Sequence, residues 1–113
     1  MNNIIEYMEF EKVDIRLGTI VEAEKYEKLK NPSILVKIDF GKLIGVKKSS
    51  AQILKNYKPS ELINKQVIAV VNFKPKQIGK IISEVLVLGL PNENNEPILL
   101  SPDKRLANGS KLY

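Results

Sequence analysis

The chain has 113 residues, 18 of them Lys or Arg against 13 Asp or Glu, a formal net charge of +5 and 43% hydrophobic residues. That length suits one domain, residues 1–113, with a modest core, and is too short for two of ordinary size. Cysteine and histidine are both absent, which excludes disulfides and thiolate chemistry and removes the usual general base and the commonest metal ligand. With no paired-carboxylate motif either, enzymatic activity, a cofactor and a bound metal are unexpected, and a binding role is favoured.

In chain order, Ile4, Ile5, Met8 and Val13 fall at spacings that a short helix or a docked arm uses, with Tyr7 and Phe10 as further anchors. A small barrel has little room for Ile4, Ile5, Tyr7, Met8 and Phe10 beside its own core. Residues 1–13 are therefore expected to form a dimerisation arm in a homodimer. This N-terminus lacks the basic start and apolar centre of a signal peptide, and no stretch approaches the roughly 18 to 20 apolar residues of a spanning helix. A cytoplasmic location without membrane insertion is the expectation.

Residues 16–21 and 34–40 alternate in the manner of strands, punctuated by Asn31-Pro32-Ser33 and by Gly41-Lys42, a tight hairpin leading into a third strand over 43–46. Ser49-Ser50-Ala51-Gln52 predicts the cap and start of a short helix through Leu54, and Lys58-Pro59-Ser60-Glu61-Leu62 a second short turn. Residues 67–71 and 85–88 are continuous apolar strands, and 98–100 a last short one. Between the last two, Asn92-Glu93-Asn94-Asn95-Glu96-Pro97 reads as a mobile hairpin turn, because a calcium loop would need a central Gly where Pro97 stands. Asn108-Gly109-Ser110 reads as a turn. Five or so short strands with a small helix after the third fit an all-β fold, a five-stranded Greek-key barrel of the OB type with short helices and an N-terminal arm or helix.

Charge is segregated along this pattern. Residues 40–83 hold nine lysines against the single carboxylate Glu61, a distribution that steers polyanions or acidic chain segments. Within it, Asn72-Phe73-Lys74-Pro75-Lys76 follows a buried-type strand that Pro75 must terminate, so Asn72, Lys74 and Lys76 are expected at a rim. This is either a solvated connection or a row of ammonium groups suited to phosphates, with Asn72 available to a base or sugar. Lys47-Lys48-Ser49-Ser50, placed by this reading at a helix N-terminus, is either an anion site or an ordinary cap with surface lysines. Tyr26, Phe40, Tyr57 and Phe73 are the candidate base stackers, although a core or interface position is the favoured reading of each.

Asp14-Ile15-Arg16-Leu17-Gly18, then Asn72-Phe73-Lys74-Pro75, then Ser83-Glu84, in this order and spacing, resemble the family of tRNA-binding OB domains, free-standing or appended to aminoacyl-tRNA synthetases. More narrowly, Ile38-Asp39-Phe40-Gly41, Lys48-Ser49-Ser50-Ala51-Gln52-Ile53, residues 62–73 and Ser83-Glu84-Val85-Leu86-Val87-Leu88-Gly89 are similar to the CsaA-type protein-export chaperones within that family. The resemblance covers about residues 9–112. It implies a homodimer that binds unfolded or preprotein polypeptide for the export machinery, with structure-specific tRNA binding as the alternative. It also implies a nucleic-acid face containing Lys74, Lys76, Lys80 and Ser83, joined to Lys47, Lys48, Ser49 and Asn72 from the reading above. Two departures stand out: Tyr26-Glu27-Lys28-Leu29-Lys30-Asn31-Pro32 is shorter than the His-Pro-Asp-Ala-Asp-Lys-Leu type segment of tRNA-competent relatives, and Lys80 replaces a familiar Gly, with Gly79 one place earlier.

Overall fold

A long first strand organises the architecture. A computed structural model describes residues 3–27 and 31–113; Met1 and Asn2 of the arm, and Lys28-Leu29-Lys30 of the short connection noted above, lie outside the described residues. Strand β1, Ile15–Tyr26, is twice the length predicted from alternation alone. Its first part pairs with β4, Gln66–Val70, from Ile15↔Val70 to Thr19↔Gln66, and its second part pairs with β2, Ser33–Asp39, out to Tyr26↔Ser33. Between Ile20 and Glu22 the register shifts, leaving Val21 as an extra residue. Such a bulge bends the strand and increases its twist, which lets one strand serve both halves of a curled sheet.

With β3, Val46–Ala51, and β7, Leu86–Val87, the sheet order is β3-β2-β1-β4-β7, all antiparallel. This is the curled five-stranded half-barrel of an OB fold. Ile20, Ile34, Ile38, Phe40, Leu62 and Val67 are almost fully buried inside it. Two helices are short: α1, Tyr7–Glu11, and α2, Pro59–Leu62, which plugs the barrel with Leu62. Two hairpins project from the sheet. Strands β5, Lys76–Ile78, and β6, Ile81–Ser83, form one, and β8, Gly89–Pro91, and β9, Pro97–Leu99, the other.

Three expectations are corrected. The third strand lies at Val46–Ala51, not 43–46, because Gly41 to Gly45 closes a longer turn, with the Gly45 N–H donating to the Gly41 carbonyl at 2.7 Å. The helix expected to start at Ser49 is absent: Ser49 pairs with Val36 and Ala51 with Ile34, so pairing with β2 overrides the capping preference of serine. The chain then makes a single turn in which the Tyr57 N–H donates to the Ile53 carbonyl at 3.1 Å. Lastly, the expected strand over 85–88 shortens to β7, Leu86–Val87, which pairs with β4, and a separate strand β8, Gly89–Pro91, follows it and pairs with β9 across the Asn92–Glu96 turn.

The C-terminal segment lies along the start of β1. Gly109 N–H donates to the Leu17 carbonyl at 2.7 Å, Leu17 N–H to Ser110 at 2.9 Å, and Leu112 N–H to Ile15 at 2.9 Å. Buried Gln66 fastens the segment at Leu106, donating to its carbonyl at 2.7 Å and accepting from its N–H at 3.0 Å. Gly109 has a φ of 90°, and a Cβ there would stand 2.6 Å from the Phe40 carbonyl, so the Asn108-Gly109-Ser110 turn requires glycine. No helix among the described residues is long and apolar enough to cross a membrane.

Candidate functional site

The hairpin β5–β6, which the apolar spacing did not reveal, is the feature around which the candidate residues gather. Strand β4 ends at Val70, Pro75 stands immediately before β5, and Gly79, at φ 63°, closes the hairpin turn. Lys74, Lys76 and Lys80 are exposed on or beside it, and none joins an ion pair among the described residues. The other proposed nucleic-acid residues divide. Lys48 is exposed on β3 and Lys47 is half-buried, while Ser49 is 2% exposed. Because they lie within a strand, Lys47, Lys48 and Ser49 do not form the helix-terminus anion site expected from their sequence.

Ser83 and Glu84 form the seam of the barrel. The Glu84 N–H donates to the Lys48 carbonyl at 2.8 Å, and its carboxylate Oε1 accepts the Lys48 N–H at 3.0 Å. Ser83 Oγ accepts the Ser50 N–H at 3.1 Å. Side chains thus complete hydrogen bonds that a sixth strand would make along the open edge of β3. Asn72 is likewise occupied: Oδ1 accepts the Asp14 N–H at 2.9 Å and Nδ2 donates to the Lys12 carbonyl at 2.7 Å. Asp14 in turn pairs with Arg16 Nε at 2.6 Å, and Arg16 reaches the Gly109 carbonyl at 3.0 Å. Two of the three family motifs therefore lock the arm and the C-terminal segment to the barrel.

On either side of the hairpin lies a cleft. One, about 390 Å³, is lined by Phe73, Lys74, Lys76, Ile78, Val85 and Leu86 among others. Phe73 is 53% and Leu86 49% exposed, so apolar surface meets water beside two free ammonium groups. The other, about 590 Å³, runs over β1, β2 and β3, with Ile63, Lys80 and Ile82 among its walls. Glu22, Lys37 and Lys48 stand in one cross-strand row along it, and Lys37 Nζ is 3.0 Å from Glu22 Oε2. Neighbouring Glu24 adds a second carboxylate. Strands 2 and 3 of an OB barrel, with the loop before the last strand, are its usual ligand-binding region, and both clefts adjoin that loop.

Of the aromatic candidates, Phe40 is core and Tyr57 uses its hydroxyl to accept the Leu99 N–H at 3.0 Å, while Tyr26 is half-buried at the end of β1. Phe73 alone of the four faces a cleft in the open. Sequence reasoning missed Ile78, Ile82 and Leu86 as cleft residues. The signal available was Lys76 to Ser83, two short β-branched pieces around Gly79-Lys80, which is a hairpin pattern. Ile4, Ile5, Tyr7 and Met8 are all exposed, Ile4 by 99%, and α1 buries no residue. Phe10 is half-buried, its ring 6.2 Å from that of Tyr7.

Comparison with known proteins gives three findings. The family model described as "Putative tRNA binding domain" matches residues 15–111. Among curated relatives, the methionine-tRNA ligase of Flavobacterium johnsoniae is 32% identical over 108 residues and that of Pyrococcus horikoshii 36% over 111, each across 96% of this chain. The chain spans only 15% of the length of either ligase. Among solved structures, the CsaA chaperone of Bacillus anthracis superposes with a TM-score of 0.92 at 44% identity, covering 98% of this chain and all of the other. The CsaA chaperone of Picrophilus torridus gives 0.89 at 49%, covering 97% and all respectively. Fold, motif order and these whole-length matches together establish that the chain belongs to the tRNA-binding-domain family, on its CsaA-like branch.

Proposed function

We propose that this protein is a cytoplasmic, non-catalytic chaperone that works as a homodimer and holds unfolded or preprotein polypeptide for the export machinery. The observation that carries this reading is the likeness, along nearly the whole of both chains, to two CsaA chaperone structures at 44% and 49% identity. The physical support is surface left unburied. An arm with Ile4, Ile5, Tyr7 and Met8 exposed favours a second copy as its cover. The clefts flanking the hairpin offer an extended chain both apolar contact and charge.

Structure-specific tRNA binding is the second reading. It is favoured by the family match and by Lys74, Lys76 and Lys80, which are exposed together on one hairpin and its approach. Purifying the tagged protein from cells at low salt and quantifying the co-purified polypeptide and RNA separates the two. The chaperone reading expects heterogeneous polypeptide that survives a high-salt wash. Stoichiometric tRNA released by salt, without polypeptide, contradicts it.

A further inference from the structure

We infer that Glu22 limits polyanion binding on the outer face of β1, β2 and β3 by holding Lys37, and so sets how much of that face an RNA backbone can use. This inference deepens the RNA-binding reading and rests on it. Alternation fixes the faces: Ile34, Val36 and Ile38 are buried in the barrel, so Leu35, Lys37 and Asp39 of β2 point outward. The register then sets Glu22 opposite Lys37, and Lys37 opposite Lys48. Lys37 Nζ lies 3.0 Å from Glu22 Oε2, so its charge is neutralised in place. Lys48 and Lys80, on the walls of the same cleft, join no ion pair among the described residues.

The pair interrupts a basic patch. With Lys37 released, Lys37, Lys48 and Lys80 would offer three ammonium groups to one cleft; with Lys37 held, the unpaired charges there are Lys48, Lys80 and the carboxylate of Glu24. Glu24 stands opposite Leu35, and Leu35 opposite Ser50, so no lysine faces Glu24 across the sheet. The other acids at the rim are engaged elsewhere. Asp39 accepts the Gly41 N–H at 2.8 Å, while Glu84 accepts the Lys48 N–H at 3.0 Å and lines the smaller cleft. Both partners of the Glu22–Lys37 pair are more than half exposed, so the pair contributes little stability and its main effect is on what Lys37 can bind. A phosphate reaches Lys37 only by displacing a carboxylate already in place, and it then meets the repulsion of that carboxylate.

The test follows binding of a labelled single-stranded oligoribonucleotide by fluorescence anisotropy at several salt concentrations. It compares the full chain with Glu22→Gln, Lys37→Met, the double variant, and Glu93→Gln, which makes the same change of net charge on the exposed β8–β9 turn. Glu22→Gln is expected to bind about fivefold tighter at low salt and to steepen the fall of log affinity with log salt by about 0.7, the value for one more neutralised phosphate on a single strand. Lys37→Met and Glu93→Gln should each stay within about twofold of the unmodified protein with little change of slope, and the double variant should return to its affinity and slope. Melting temperatures should be unchanged throughout, since all three side chains are exposed. A Glu22→Gln gain that survives Lys37→Met, or an equal gain from Glu93→Gln, would trace the effect to repulsion or net charge rather than to a held lysine and overturns the inference. Unchanged affinity and slope in Glu22→Gln overturns it while leaving the RNA-binding reading intact. No binding at low salt by the unmodified protein and Glu22→Gln alike removes both.

Discussion

Asn72 holds Asp14: its side-chain oxygen accepts the Asp14 N–H at 2.9 Å while its amide donates to the Lys12 carbonyl at 2.7 Å. The Val71 N–H donates to the Asp14 carbonyl at 2.8 Å beside them. One side chain thereby ties the arm to the end of β4, next to Phe73. Asn72→Ala removes two hydrogen bonds at a partly solvated position, for an expected loss of roughly 1–2 kcal/mol. Urea unfolding should show this loss, and hydrogen exchange should show faster exchange at Asp14. Unchanged stability with lost RNA binding would assign Asn72 to a nucleic-acid contact instead.

Gly18 is set by packing. A Cβ added there would stand 2.5 Å from Ile38 Cγ2 and 2.8 Å from the Phe40 ring, both buried. Gly18→Ala is expected to destabilise by about 1–3 kcal/mol through overpacking. Trimming the nearest obstruction with Ile38→Ala should make the added methyl group less costly in the double variant than in the single one. Additive losses in denaturant unfolding would show that this close approach is not the cause.

How far the sequence disclosed this fold depended on where side chains alternate and where they do not. Ile34, Val36 and Ile38 alternate with Leu35, Lys37 and Asp39, so β2 was legible. Strand β3, Val46–Ala51, consists of Val-Lys-Lys-Ser-Ser-Ala and carries little apolar signal. It is a strand because the edge of β2 requires a partner, a long-range demand that local propensity does not encode. The same limit applies to the candidate site. The lysines were visible from charge, but the roles of Ser83 and Asn72 were not, because their bonds join residues 33 and 58 positions apart. The exposed apolar arm was legible, since residues that no core can hold are apparent from composition.

The proposed dimer gives a third prediction. Removing residues 1–10 deletes Ile4, Ile5, Tyr7 and Met8, none of which is buried within the chain. Light scattering at low micromolar concentration should then report a smaller mass, or the melting temperature should fall and become less dependent on protein concentration. Unchanged mass together with unchanged melting would place the interface elsewhere.

A fourth concerns Lys74, Lys76 and Lys80. Changing all three to Ala should weaken tRNA binding and flatten the dependence of log affinity on log salt by about 0.7–0.9 for each phosphate no longer neutralised. Aggregation suppression should fall less, because exposed ion pairs contribute only about 0–1 kcal/mol each and the greater part of the client affinity comes from apolar burial. Loss of suppression with unchanged tRNA affinity would reverse these roles.

The most direct measurement of the chaperone reading is light scattering of a chemically denatured client diluted into buffer with increasing amounts of the protein. The account predicts that scattering falls in proportion to added protein, levels off near a fixed ratio of client to dimer, and that this suppression persists at high salt because apolar burial is not screened. Scattering that is unaffected by a molar excess of the protein, while tRNA still binds with steep salt dependence, would contradict the account and leave RNA binding as the function.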